Sequence, residues 1–101
     1  MPKVNVASST SMNAQDSYNK VKSLLENDAD LKKLDPAYSC QFNDSSLSGT
    51  ASGNLFKAQL KVKDAAGGSE VSIEVDLPMK LALVKGMVQK TLQKKLDNTL
   101  G

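Results

Sequence analysis

The sequence predicts an α+β fold: a five-stranded antiparallel sheet covered on one face by two helices, in the order β-α-β-β-β-β-α. Three observations carry this prediction. The apolar spacing is helical near the N-terminus, alternating from Tyr38 to Leu77, and helical again after Pro78. Turn-forming residues (Gly, Asn, Asp, Ser) cluster at three places inside the alternating stretch, where hairpins belong. The alternating residues can also be paired across all three hairpins with one face apolar throughout. A chain of 101 residues, 40% hydrophobic and 24% charged, reads as a single domain, 1–101, with material for one core.

Each element has its own signal. Val4-Asn5-Val6 alternates and predicts a short first strand, ended by the polar run Ser8–Ser11. Asn13 is placed as an N-cap, with Asp16 in the first turn at the positive end of the helix. Ala14, Tyr18, Val21, Leu24 and Leu25 share one face of that helix. Asp28 is placed to cap a further turn carrying Leu31 and Leu34, and Asp35-Pro36 ends it, because a residue before proline avoids the α region.

Four strands follow, marked by Tyr38, Cys40 and Phe42; by Leu47, Gly49 and Ala51; by Phe56 to Val62; and by Val71 to Leu77. The turns fall at Asn43–Ser46, at Gly53-Asn54 as a two-residue hairpin, and at Asp64–Ser69 around Gly67-Gly68. The expected registers set Phe42 opposite Leu47, Ala51 opposite Phe56, Val62 opposite Val71 and Phe56 opposite Leu77. On the other face Lys57 meets Asp76 and Lys63 meets Glu70, opposite charges across strands. One wet face and one covered face suit an antiparallel meander.

Pro78 opens the last helix. Leu81, Val84, Met87, Val88, Leu92, Leu96 and Leu100 form its apolar stripe, rimmed by Lys80, Lys85, Lys90, Lys94 and Lys95. Lys94, Lys95 and Gly101 suit its C-terminal end. Gly86, which costs about 1 kcal/mol relative to Ala inside a helix, predicts a close approach to the sheet or a bend. The simplest closure sets the first strand beside the last, in spatial order 1-5-4-3-2. This is a reduced helix-grip arrangement. By analogy with larger helix-grip domains, a lipid-like ligand would lie between helix and sheet. The small residues Gly49, Ala51 and Ala58, with Val84 and Val88 of the helix, are the candidate cavity lining.

Composition excludes much. There is no His and no Trp, and all 13 cations are Lys. Ser-His and Cys-His catalysis, His-ligated zinc and a histidine pH switch are therefore ruled out. So is a bidentate guanidinium clamp on carboxylate or phosphate. The net charge of +2 divides into −1 over residues 1–50 and +3 over residues 51–101. That basic bias is too weak to predict nucleic-acid binding, and the four aromatics are expected inside. Cys40 is alone, so no intramolecular disulfide forms, which suits a reducing compartment. The opening Met1–Val6 has no apolar core of a signal peptide, and no stretch approaches 18 apolar residues, so the expected location is cytoplasmic.

No candidate catalytic group has a partner. Cys40 alternates onto the covered face and reads as a buried thiol. Glu26, Asp28, Asp30 and Asp35 lack the spacing and glycine of a calcium loop and read as capping residues, so no metal site is expected. Glu70, Glu74 and Asp76 are accounted for by neighbouring lysines, and Ser45, Ser46, Ser48 and Ser52 by turns and strand surface. Gly67-Gly68 joins two strands and cradles no phosphate. No cofactor is expected. The basic last helix is the element with most functional content: Lys85, Lys90, Lys94 and Lys95 are candidates for contact with an anionic or apolar surface.

The opening Met1-Pro2-Lys3-Val4-Asn5-Val6 resembles that of small bacterial polyhydroxyalkanoic acid system proteins. So does the strand Val71–Leu77 with Pro78, running into the basic helix Leu83–Leu96. The resemblance implies a non-enzymatic accessory role in polyhydroxyalkanoate storage, with granules or granule proteins as partners. The residues themselves support a second reading, a helix-grip module that binds an acyl or other apolar ligand. An enzyme ranks last. The expected state is a monomer, or a dimer through the edge strand Tyr38–Asn43, which nothing in the sequence covers.

Overall fold

The computed structural model describes residues 3–100, apart from the side chains of Asp30, Leu31 and Leu34. The expectations placed on Leu31, Leu34 and Gly101 lie outside that description. The elements are β1 (Lys3–Thr10), α1 (Ala14–Asn27), α2 (Ala29–Leu34), β2 (Ser39–Asn43), β3 (Ser48–Ser52), β4 (Lys57–Ala65), β5 (Gly68–Asp76), a 3₁₀ segment (Met79–Val84) and α3 (Lys85–Leu100). The five strands form one antiparallel sheet in the order β1-β5-β4-β3-β2, as expected.

β1 is longer than its alternation suggests. The polar run Ser8-Ser9-Thr10 stays in the ladder, where Ser8 pairs with Val71 and Thr10 with Ser69. Its far end is tied down by side chains. Thr10 Oγ1 donates to the Leu100 carbonyl at 3.3 Å, and Gln93 Nε2 donates to the Ala7 carbonyl at 2.8 Å. A polar strand end can therefore pair because α3 satisfies part of it.

α1 begins as read: Asn13 Oδ1 accepts the Asp16 backbone N–H at 2.8 Å. Ala14, Tyr18, Val21 and Leu25 are buried, and Ser17 joins them through a hydrogen bond to Ser69 Oγ at 2.8 Å. Tyr18 also fixes the β2–β3 turn by donating its hydroxyl to Asp44 at 2.6 Å. Burial first, and then Asp44, pushes the Tyr18 hydroxyl up to about 12. The same bond, with Lys22 at 3.3 Å, holds the Asp44 carboxyl below its ordinary range.

The β4–β5 register agrees with the sequence: Val62 faces Val71, Leu60 faces Ile73, and Ala58 faces Val75. The turn is tighter than the expected Asp64–Ser69, because Ala65 and Gly68 still pair. Gly67 takes φ +79°, which only glycine adopts without strain. Lys63 and Glu70 lie 3.6 Å apart, whereas Asp76 turns to Lys3 at 3.8 Å in preference to its register partner Lys57.

The other two hairpins differ from the expected pairing by two residues. Gly49, not Leu47, faces Phe42, and Ala58, not Phe56, faces Ala51. A shift of two leaves every side chain on its original face, so the core pattern survives. The causes are local. Asn43 Oδ1 accepts the Ser45 and Ser46 backbone N–H groups, and Leu47 enters the turn at φ +51°. The β3–β4 connection is Gly53–Phe56, closed by a Gly53 N–H to Phe56 carbonyl bond at 3.1 Å. Phe56 and Leu77 thus fall just outside the ladder, although both are buried.

Asp35 organises that connection. Its carboxylate accepts the Leu55 N–H at 2.7 Å and the Ala37 N–H at 3.1 Å. The Leu55 N–H chiefly holds the acid below its ordinary range, against an opposing push from burial. A side chain at Gly53 would collide with this carboxylate.

The C-terminal segment is not one helix. Residues Met79–Val84 wind as a 3₁₀ segment, opened by the Leu81 N–H donating to the Pro78 carbonyl at 2.9 Å. Gly86 falls in the first turn of α3 with nothing within 4 Å of a hypothetical Cβ, so it makes no close approach. α3 packs across β1 and against α1, and Leu96 and Leu100 are buried there. Among the described residues, no helix is long and apolar enough to cross a membrane.

Candidate functional site

The stripe on the C-terminal segment is buried at one end and open at the other. Leu96 is fully buried, while Leu81, Val84, Val88 and Leu92 are half-buried. Their inner sides border a cavity of about 350 Å³ between this segment and the sheet. The floor is formed by Ala51 of β3, Phe56 and Ala58 at β4, and Ile73, Val75 and Leu77 at β5. Leu24 and Leu25 of α1 form one wall, and Leu81, Val84, Met87, Val88 and Leu92 form the roof.

The cavity follows from the chain path. Leu96 and Leu100 pin the end of α3 over β1, at one edge of the sheet. Pro78 starts the return from the end of β5, nearer the sheet centre. Residues 79–92 bridge these points above Ala51 and Ala58, whose methyl groups are too short to reach them. Larger residues there would close the space, which is the physical sense in which two alanines make a cavity.

Polar groups on the lining are few. The Tyr38 hydroxyl donates to the Leu25 carbonyl at 2.7 Å, and burial pushes its ionisation far upward. Asp28, almost wholly buried, receives Lys95 Nζ at 2.8 Å. Thr91 stands one helical turn before Lys95 on the same side of α3. The polar part of the lining therefore consists of one positive charge paired with one negative charge and two hydroxyls, that of Tyr38 already bonded to the Leu25 carbonyl.

Of the residues singled out as lining, Ala51, Ala58, Val84 and Val88 border this cavity. Gly49 does not. It lies on the same strand as Ala51 but two residues nearer the β2–β3 turn, opposite Phe42, whose ring occupies the space a Cβ would take. Of the lysines singled out for surface contact, Lys85, Lys90 and Lys94 are exposed. Lys95 is corrected: it turns inward to Asp28 and borders the cavity. Asp28, read only as a cap, gains its role from a residue 67 positions away, which no local pattern reveals.

The remaining candidates are engaged elsewhere. Cys40 is half-buried, and its Sγ contacts the Leu25 carbonyl at 3.7 Å. Glu70 and Glu74 pair with Lys63 and Lys3 on the sheet's outer face. Ser46 and Ser48 bond each other at 2.6 Å at the exposed β2–β3 turn.

Among the described residues, sequence reasoning passed over two of the most exposed large hydrophobic side chains, Met79 and Leu83, and set the third, Met87, on the inward stripe although most of it faces solvent. Leu83 is 99% exposed, Met79 71% and Met87 63%. A signal existed for two of them. Leu83, Met87, Lys90 and Lys94 recur at intervals of four, three and four, a flank that shares Met87 with the edge of the apolar stripe.

No protein-family model and no curated protein matches the chain. Solved structures do. The protein TTHA0849 from Thermus thermophilus superimposes with a TM-score of 0.64 at 14% identity, over 98% of this chain and 94% of that one. Ara h 8.0201 superimposes with a TM-score of 0.52 at 14% identity, over 98% and 97%. At this identity the likeness concerns fold alone, and that fold is helix-grip-like. Neither name mentions polyhydroxyalkanoate.

Proposed function

We propose that the protein is a non-enzymatic binding module that holds a small apolar ligand between its sheet and its C-terminal segment. The observation that carries this reading is the cavity of about 350 Å³, walled by aliphatic and aromatic side chains with polar groups confined to one patch. That volume is at the lower end for small-molecule sites. Ala51, Ala58, Val84 and Val88 would contact the ligand body. Asp28, Lys95 and Thr91 would meet its polar end. Because the Asp28–Lys95 pair is neutral as a unit, it favours a hydroxyl or carbonyl head over a free carboxylate. A carboxylate would have to draw Lys95 away from a buried acid, which is costly.

The accessory role at polyhydroxyalkanoate granules, implied by the sequence resemblance, rests on the exposed Lys85, Lys90 and Lys94 and has no counterpart in the cavity. The cavity reading is preferred because it explains a feature that packing alone would remove.

The test uses Nile red, a neutral apolar dye, with the purified protein and with Ala58→Phe and Val88→Phe. The expected result is enhanced, blue-shifted emission with the native chain. Either filled variant should bind about tenfold more weakly, the loss expected when about 1.4 kcal/mol of binding is removed. Circular dichroism should be unchanged. Two substitutions on opposite walls guard against one failing to fold. Equal dye binding by folded native and filled proteins would overturn the reading.

A further inference from the structure

We propose that the segment Met79–Lys94 docks the protein onto an anionic phospholipid surface, with Leu83 inserted among the acyl chains. The inference goes beyond ligand binding and stands whether or not the cavity is filled.

Three observations converge on this segment. The large hydrophobic side chains most exposed among the described residues, Met79, Leu83 and Met87, lie within nine positions of one another. Leu83 is 99% exposed and projects outward, so it is a knob and not part of a groove. Clustering of this kind marks an interaction surface, whereas scattered exposed apolar residues do not.

The second observation is charge. Between Asp76 and Asp97 there are five lysines and no acid. Lys95 is committed to Asp28. Lys80, Lys85, Lys90 and Lys94 are exposed and make no ion pair among the described residues. Elsewhere on the surface, Lys3, Lys22 and Lys63 are matched with acids, while Lys20, Lys32, Lys33, Lys57 and Lys61 make no ion pair among the described residues but have acids nearby in sequence or across the sheet. What sets this segment apart is that its four exposed lysines stand in a stretch with no acid, beside the exposed apolar side chains, and lysine next to an anionic leaflet is attracted to it.

The third observation is composition. A protein–protein interface of the usual kind is rich in aromatics and poor in lysine at its centre. This segment has four exposed lysines and no aromatic residue. Protruding aliphatic side chains ringed by lysine suit the boundary between headgroups and acyl chains. Met87 also borders the cavity, so the docked face adjoins its roof.

The experiment is co-sedimentation of the full chain with vesicles of phosphatidylcholine, with and without phosphatidylglycerol, at low and high salt. Partitioning about tenfold stronger into the anionic vesicles, weakened by salt, is expected. Leu83→Asp should lose about tenfold of that partitioning with its melting temperature unchanged, since the side chain lies in solvent. Lys85→Glu combined with Lys90→Glu should abolish the preference for phosphatidylglycerol. Ala58→Phe should dock normally, which separates failure of docking from failure of ligand binding. The proposal is overturned by absent or lipid-independent sedimentation, or by unchanged docking of Leu83→Asp. Concentration-dependent dimerisation through Leu83 would likewise overturn it. Binding to bare polyhydroxybutyrate particles but not to vesicles would overturn it in favour of a granule surface.

Discussion

The two ends of the C-terminal segment carry the same pattern and meet opposite fates. At the far end, Leu96 and Leu100 are buried against β1 and α1, and side chains from Thr10 and Gln93 bond across the same seam. At the near end, Leu81, Val84, Val88 and Leu92 keep one side against a cavity, and Met79, Leu83 and Met87 point into solvent. An amphipathic stripe states that a helix has an apolar face; it does not state what lies opposite. One end commits its apolar surface to packing and the other leaves it uncovered.

The sharpest way to break this comparison is Leu96→Ala. The site is fully enclosed, so the substitution removes transfer energy and leaves a hole. A loss of about 3 kcal/mol is expected, within the range for buried Leu→Ala. Urea unfolding would measure it. A loss under about 1 kcal/mol would mean that the far end is no better packed than the near end.

The second test concerns pH, and it works through groups outside the C-terminal segment. Asp35 and Asp44 have folded-state ionisations below their ordinary values. Their contribution is complete above the unfolded carboxylate value of about 4, and is lost as pH falls through the depressed folded values. Tyr18 has the opposite sign. Raised to about 12, it contributes fully below its ordinary value near 10 and loses that contribution as pH rises through the folded value. With no His in the chain, stability measured by thermal melts should be flat between these limbs. Asp35→Asn should lower the melting temperature by on the order of 5–10 °C at neutral pH and flatten the acid limb. An acid limb unchanged by that substitution would show that the Gly53–Phe56 connection does not depend on the Asp35 charge.

What the sequence made legible divides along the same line. Strand order and the β4–β5 register were readable because apolar alternation, cross-strand charges and Gly67 all agreed. The β2–β3 and β3–β4 registers were not. Their offsets are set by Asn43 folding back on its own turn and by Asp35 reaching a backbone twenty positions away. Neither leaves a mark in the alternation, because a shift of two preserves it. The cavity was half legible. Ala51 and Ala58 announced missing volume, whereas Gly49 suggested it falsely, because a neighbouring ring fills that space. The Asp28–Lys95 pair was hidden for a different reason: each residue had a sufficient local explanation, as a cap and as a rim charge.

The smallest expected effect is the most direct probe of the open end. Val88 belongs to the same stripe as Leu96, but part of its side chain already faces empty space. Val88→Ala removes fewer contacts and extends an existing cavity instead of creating one. A loss of no more than about 0.5 kcal/mol is expected in the same urea experiment. The ratio between the two alanine substitutions is more informative than either value, because both report on one helix in one protein. A ratio near one would place matter opposite Val88 and remove the cavity as a functional site. A ratio of several would mean that the near end of the segment has been kept loosely packed, and a bound apolar molecule would then stabilise the native chain more than Val88→Ala, whose wall offers it fewer contacts.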